Sequence, residues 1–214
     1  MDLQTAVDNF DRALLHCDNI IEVHRGYGGG GVGRRIKETS LDRAVVVLAV
    51  AAWQAAVQDL TTAIVDTAAP TSGGPVKLAR YKASLGHAAK AIGDFATPNA
   101  ENTRSLMRSV GFDPRPHWTY TIAGGQGRQR TTWTPHMVDE RLNQWLKVRH
   151  AIAHGHDELP VVDVLRSVRV DGASSNATIR LVDAQQCVSF VSRLVRLTGS
   201  AIATHLGVAV THAR

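Results

Sequence analysis

The stretch Leu146–Asp157, LKVRHAIAHGHD, sets Arg149 beside His150 and brings His154 and His156 within the next seven positions. Two kinds of chemistry use such a set. Imidazoles at i and i+4, the spacing of His150 and His154, share one face of a helix and can hold a divalent metal. An arginine and a histidine without metal suit phosphoryl transfer. Histidine titrates near neutral pH and can move a proton, while a guanidinium binds phosphate and stabilises charge that develops on it. The metal reading meets three obstacles: HExxH needs glutamate where Ala151 stands, no second ligand pair follows at useful spacing, and Arg149 would repel a cation. No metal and no cofactor is expected.

RNA fits the second chemistry. Its ribose 2′-OH is an internal nucleophile already close to the phosphorus, so the protein need not supply one. A histidine would take the 2′-OH proton or protonate the leaving 5′-oxygen. The products would end in 2′,3′-cyclic phosphate, and DNA would be inert.

The position of Arg149 is a further clue. On a helix from Pro135 to His154, turning about 100° per residue, Val138, Leu142, Trp145, Leu146 and Ala153 form one apolar stripe, with Arg149 near its middle. An unpaired guanidinium buried there would cost on the order of several kcal/mol. Three arrangements are open: the side chain snorkels to solvent at the helix C-terminus, forms a structural ion pair, or lines a cleft that an anion enters. His154 lies about 7.5 Å further along the axis and about 140° around it. The two side chains converge only if the helix ends or distorts at His154, or in a groove between two helices or two copies of this one. Gly155 is a natural stop residue.

The elements that must hold this segment read mostly as helices. Leu3, Val7, Phe10, Leu14 and Ile21 recur at helical spacing in an N-terminal helix over 2–25. It runs into RGYGGGGVGRR, where Gly26, Gly28 and Gly31 satisfy GxGxxG. That motif should follow a strand, and here it follows a helix, so a linker or a basic flap is expected instead. Ser40 is placed as the N-cap of a helix over 41–66 that is apolar on nearly every side and therefore central. A helix over 76–95 follows the turn PTSGGP. Thr97 is then expected to cap the next helix, with Pro98 in first position and Gly111 at its end. Residues 112–133 read as a long excursion, with room for a short hairpin. Beyond the motif helix, VLRSVRVDGASSNATIRLV alternates around a Gly/Ser/Asn turn as a two-stranded hairpin. Asp183 is expected to cap a last helix running to about His205; hairpin and helix together occupy 161–206. The expected fold is all-α, a helical bundle with a small C-terminal β-hairpin between the last two helices.

Composition sets the outer bounds. A chain of 214 residues with 44% apolar and 20% charged residues suits one domain spanning 1–214. A net charge of +5 agrees with a polyanionic partner without requiring one. Cys17 and Cys187 show no ligand spacing, which points to a reducing, cytoplasmic setting. The N-terminus is acidic and amphipathic, unlike a signal peptide, and the apolar run Ala44–Trp53 falls short of the roughly 18 residues of a membrane span, so no membrane partner is expected.

RHAIAHG, Arg149 to Gly155, resembles the R-x4–6-H signature of HEPN domains, in which a polar residue commonly follows the arginine, here His150. VVVLAVAAWQAAVQDL and FATPNAENTRSLMRSVGF, with Trp118, look like the RiboL-PSP type of that family, over roughly 40–156. The resemblance implies an all-α HEPN-like bundle that forms a homodimer, with two motif copies in one composite cleft. It implies metal-independent RNA cleavage in toxin–antitoxin, abortive-infection or antiphage systems, and with it a possible antitoxin or other neutralising protein. Arg149 and His154 would be catalytic, and His150 would orient or assist. Some HEPN domains only bind RNA, a nucleotide or a partner. Relatives often carry Glu after the upstream tryptophan, where this chain has Gln54. Arg34, Arg35, Arg128 and Arg130 are candidate RNA phosphate contacts, although each also reads as ordinary surface charge. Trp118, Tyr120 and Trp133 either stack bases or anchor the excursion.

Overall fold

The computed structural model describes residues 1–27, 36–70, 72, 74–123 and 130–212. The stretch from Gly28 to Arg35, with Arg34 and Arg35, lies outside the described residues, as does Arg128.

The described residues form α1 (Leu3–Tyr27), α2 (Ile36–Thr67), α3 (Pro75–Gly93), α4 (Ala100–Ser109), a 3-10 turn (Arg115–His117), β1 (Tyr120–Ile122), β2 (Thr131–Trp133), α5 (Pro135–Ala153), α6 (Arg166–Arg169) and α7 (Leu181–Leu206). The chain is thus mostly helical with one small antiparallel sheet. Helix α2 is central, with α1, α7 and α5 packed around it. By length and composition alone it could cross a membrane, but more than half of that span is covered by the rest of the protein. Its neighbours cover most of its apolar residues and leave Leu48, Ala51 and Ala55 exposed along one row. Helix α1 shows the simpler case: Leu3, Val7, Phe10, Leu14 and Ile21 are all buried on its inner stripe.

Polar side chains of α2 tie down the connection that leads to α4. The Trp53 indole donates to the Pro98 carbonyl at 3.0 Å, Gln54 to Phe95 at 2.9 Å and Gln58 to Ile92 at 2.7 Å. Gln54 therefore satisfies a carbonyl that a glutamate could not. Trp118 is fully buried, donates to Thr198 Oγ1 at 3.0 Å and meets Trp53 edge-on. It anchors the excursion rather than stacking bases.

Several local expectations are corrected. Helix α2 begins at Ile36, so Ser40 lies about one turn inside it. The N-cap of α4 is Asn99, whose side chain accepts from the Asn102 amide, and not Thr97. Helix α7 begins at Leu181: Asp183 sits in its first turn and accepts from the Arg180 amide with one oxygen and the Arg166 amide with the other. The expected C-terminal hairpin does not form among the described residues, whereas the short one allowed for in 112–133 does. Between α5 and α7 stand the short α6 and a single bridge, Leu159 to Ala177. The Ser167 hydroxyl takes the place of a partner strand there, donating to the Thr178 carbonyl at 2.9 Å and accepting from its amide at 3.0 Å. The two-stranded sheet instead closes the 112–133 excursion, with Tyr120 paired to Trp133, Thr121 to Thr132 and Ile122 to Thr131.

Candidate functional site at the end of α5

Helix α5 starts where expected. Thr134 is its N-cap, with its hydroxyl 3.4 Å from the Met137 amide, and Pro135 fills the first position. Its buried face comprises Val138, Leu142, Trp145, Leu146, Val148 and Ala151. Ala153, assigned to that stripe from spacing, is exposed. The stripe continues in angle, but in the last turn no core remains to cover it.

Arg149 sits on this stripe at the edge of the core. It is half-buried, and its Nε is buried without a hydrogen-bond partner. Among the described residues no carboxylate forms an ion pair with it. Of the three arrangements open from sequence, the structural ion pair is thereby excluded among the described residues.

The helix ends in a left-handed cap. His154 is the C-cap and Gly155 has φ +68°. The Gly155 amide donates to Ile152 at 3.1 Å and the His156 amide to Ala151 at 2.9 Å, the paired bonds of a Schellman turn. This reversal folds His156 back along the helix end. The His150 and His154 rings are 6.0 Å apart, and the His154 and His156 rings are again 6.0 Å apart. Three imidazoles thus follow one another at the end of the helix. Among the described residues, no three His, Cys, Asp or Glu side chains are placed to hold a metal ion.

The cluster borders an open groove of about 770 Å³ between α5 and the start of α4. His150, His156, Lys147 and Asn143 line it, with Glu101 and Glu158. Arg149 and His154 are not among its lining residues, and His154 is exposed. One chain therefore brings His150, His154 and His156 together but does not point Arg149 into the same groove. Arg130 is exposed beside β2, away from this cluster in sequence and element.

A second cluster has no counterpart in sequence spacing. Tyr120 and Trp133 face each other across the sheet with ring centroids 5.7 Å apart and planes within 6°. The Arg193 guanidinium lies 4.7 Å from the Tyr120 ring and that of Arg141 5.0 Å from the Trp133 ring. These residues line a hollow of about 280 Å³ together with Trp145 and Arg169.

No family model, curated protein or solved structure matches this chain.

Proposed function

We propose that this protein is a metal-independent endoribonuclease of HEPN type, acting through the C-terminal end of α5. Arg149 binds the scissile phosphate, His154 moves the proton, and His150 orients or assists. The ribose 2′-oxygen attacks the neighbouring phosphorus. Its proton leaves to the base, the bond from phosphorus to the 2′-oxygen forms, and the bond to the 5′-oxygen breaks as that oxygen gains a proton. One product ends in 2′,3′-cyclic phosphate and the other in 5′-OH.

The observation that carries this reading is Arg149, a half-buried guanidinium whose Nε has no partner, in the last turns of the helix whose end carries three successive imidazoles. A buried N–H without an acceptor is costly, and an entering phosphate would satisfy it. Because the groove of one chain omits Arg149 and His154, the reading includes a second copy. Two α5 ends in a homodimer would form one composite cleft. The resemblance extends the proposal to a toxin or antiphage effector with room for a neutralising partner, and the two cysteines without ligand spacing extend it to a cytoplasmic setting.

The test is direct. Purified protein incubated with RNA in EDTA should release fragments with cyclic phosphate ends and leave DNA intact. Arg149→Ala and His154→Ala should each abolish cleavage. Retained cleavage in both would remove these residues from the mechanism. A second reading, a non-catalytic module that binds RNA, a nucleotide or a protein, draws on the exposed position of His154 outside the groove. It requires binding without turnover and undiminished binding by His154→Ala.

A further inference from the structure

The hollow between the β1–β2 hairpin, α5 and α7 lies apart from the histidine cluster and is unusual in its charge. Arg141, Arg169 and Arg193 line it, and no carboxylate does. Each guanidinium is placed by something other than an acid. Arg169 donates to the Asp163 carbonyl at 2.8 Å and to Gln186 Oε1 at 3.3 Å. Arg141 and Arg193 lie against the faces of Trp133 and Tyr120. Contact with an aromatic face holds a guanidinium while leaving the N–H groups at its edge free to donate.

The floor of the hollow adds an independent sign. Trp145 is fully buried and its indole N–H has no hydrogen-bond partner. A buried indole ordinarily finds an acceptor. Arginines gathered without acids, and a lining tryptophan whose buried N–H has no partner, make a site short of one acceptor-rich anion.

We propose that this hollow binds a phosphate ester of a nucleotide, with the phosphate oxygens between the Arg141, Arg193 and Arg169 guanidinium groups and one oxygen accepting from Trp145 Nε1. Phosphate supplies the planar-fork match that arginine favours and has acceptors to spare for the indole. The volume of about 280 Å³ is enough for one nucleotide-sized group. Burial, and after it the nearby Arg169 charge, push the Arg141 pKa down, as befits a cation awaiting a counter-charge. The site does not depend on the cleavage reading: it shares no residue with the Arg149–His154 set.

The measurement is the ¹H–¹⁵N resonance of the Trp145 indole, assigned by its loss in Trp145→Phe, during titration of the full chain. Three probes are used: adenosine 5′-monophosphate, adenosine, and a short 5′-hydroxyl oligoadenylate made non-cleavable by 2′-O-methylation. A saturable shift with a phosphate-bearing probe and none with adenosine is the expected result. Tighter binding of the monophosphate identifies a monoester ligand, whereas tighter binding of the oligonucleotide identifies an internal phosphodiester. Arg141→Gln and Arg193→Gln should each weaken binding at least about tenfold, with unchanged circular dichroism, while Lys82→Gln, on the exposed face of α3, should bind as the parent does. Trp145→Phe, followed by calorimetry, should weaken binding without loss of fold. No saturable shift with either phosphate probe, or adenosine binding as tightly as its monophosphate, would overturn the proposal.

Discussion

The His156 amide donates to the Ala151 carbonyl at 2.9 Å, closing the turn that sets the His156 ring 6.0 Å from that of His154. The bond exists because Gly155 takes φ +68°, a conformation that costs an L-residue roughly 1–2 kcal/mol. No atom lies within 4 Å of a Cβ built at Gly155, so the strain of Gly155→Ala would come from the backbone alone. We expect a loss of about 1 kcal/mol in urea unfolding and altered His154 and His156 ring resonances. An unchanged midpoint and unchanged resonances would show that the turn adapts without strain.

Arg149 supports a prediction in which stability and activity part. Its Nε is buried without a partner, so the folded state gains little from the charge. Replacing a partly buried charge that lacks a partner by an apolar side chain of similar length is often neutral or stabilising. Arg149→Met should therefore leave the unfolding free energy unchanged or raise it by about 1 kcal/mol, while RNA cleavage falls at least about a hundredfold. Loss of more than about 2 kcal/mol would instead reveal a structural role for the guanidinium.

Much of the bundle was legible because its helices are long and periodic. The inner stripe of α1 and the all-round apolar surface of α2 follow from residue spacing alone, and Arg149 stood out because it broke such a stripe. Ends were less legible. Thr97 and Asn99 are both capping types and could not be told apart, while type favoured Asp183 over Arg180 although Asp183 acts from inside the first turn. The Val164–Val182 segment alternates like a hairpin, yet its polar backbone is satisfied by a serine hydroxyl and an aspartate, which no period records. The hollow at Trp145 was hidden for another reason: its arginines come from α5, α6 and α7, and only the fold brings them together.

The Ser167 substitute for a strand is testable. Its hydroxyl is nearly buried and serves both backbone groups of Thr178. Ser167→Ala leaves a buried carbonyl and amide without that partner, which should cost about 1–3 kcal/mol. Hydrogen exchange at the Thr178 amide should accelerate well beyond that of α7. Equal protection in the variant would mean that another partner serves Thr178.

Asp42 provides a pH prediction of unusual sign. It is 4% exposed, and its Oδ1 lies 3.4 Å from His24 Nε2 without a hydrogen bond. Burial pushes its pKa up to about 6; the His24 imidazole opposes the shift, and the Asp183 and Glu38 carboxylates add to it. The folded protein therefore holds this proton more tightly than the unfolded chain, whose aspartates titrate near 3.9. The contribution favours folding while both states are protonated, below about pH 4, and is lost as pH rises toward about 6. The full loss is at most on the order of 3 kcal/mol. Carboxylates held low by arginines behave oppositely, as Asp113 does beside Arg104, so the whole protein need not show this trend. Comparison with Asp42→Asn isolates it. The variant should be the more stable protein at neutral pH, and its advantage should shrink as pH falls through 6 toward 4. An advantage independent of pH would place the Asp42 pKa back in the ordinary carboxylate range.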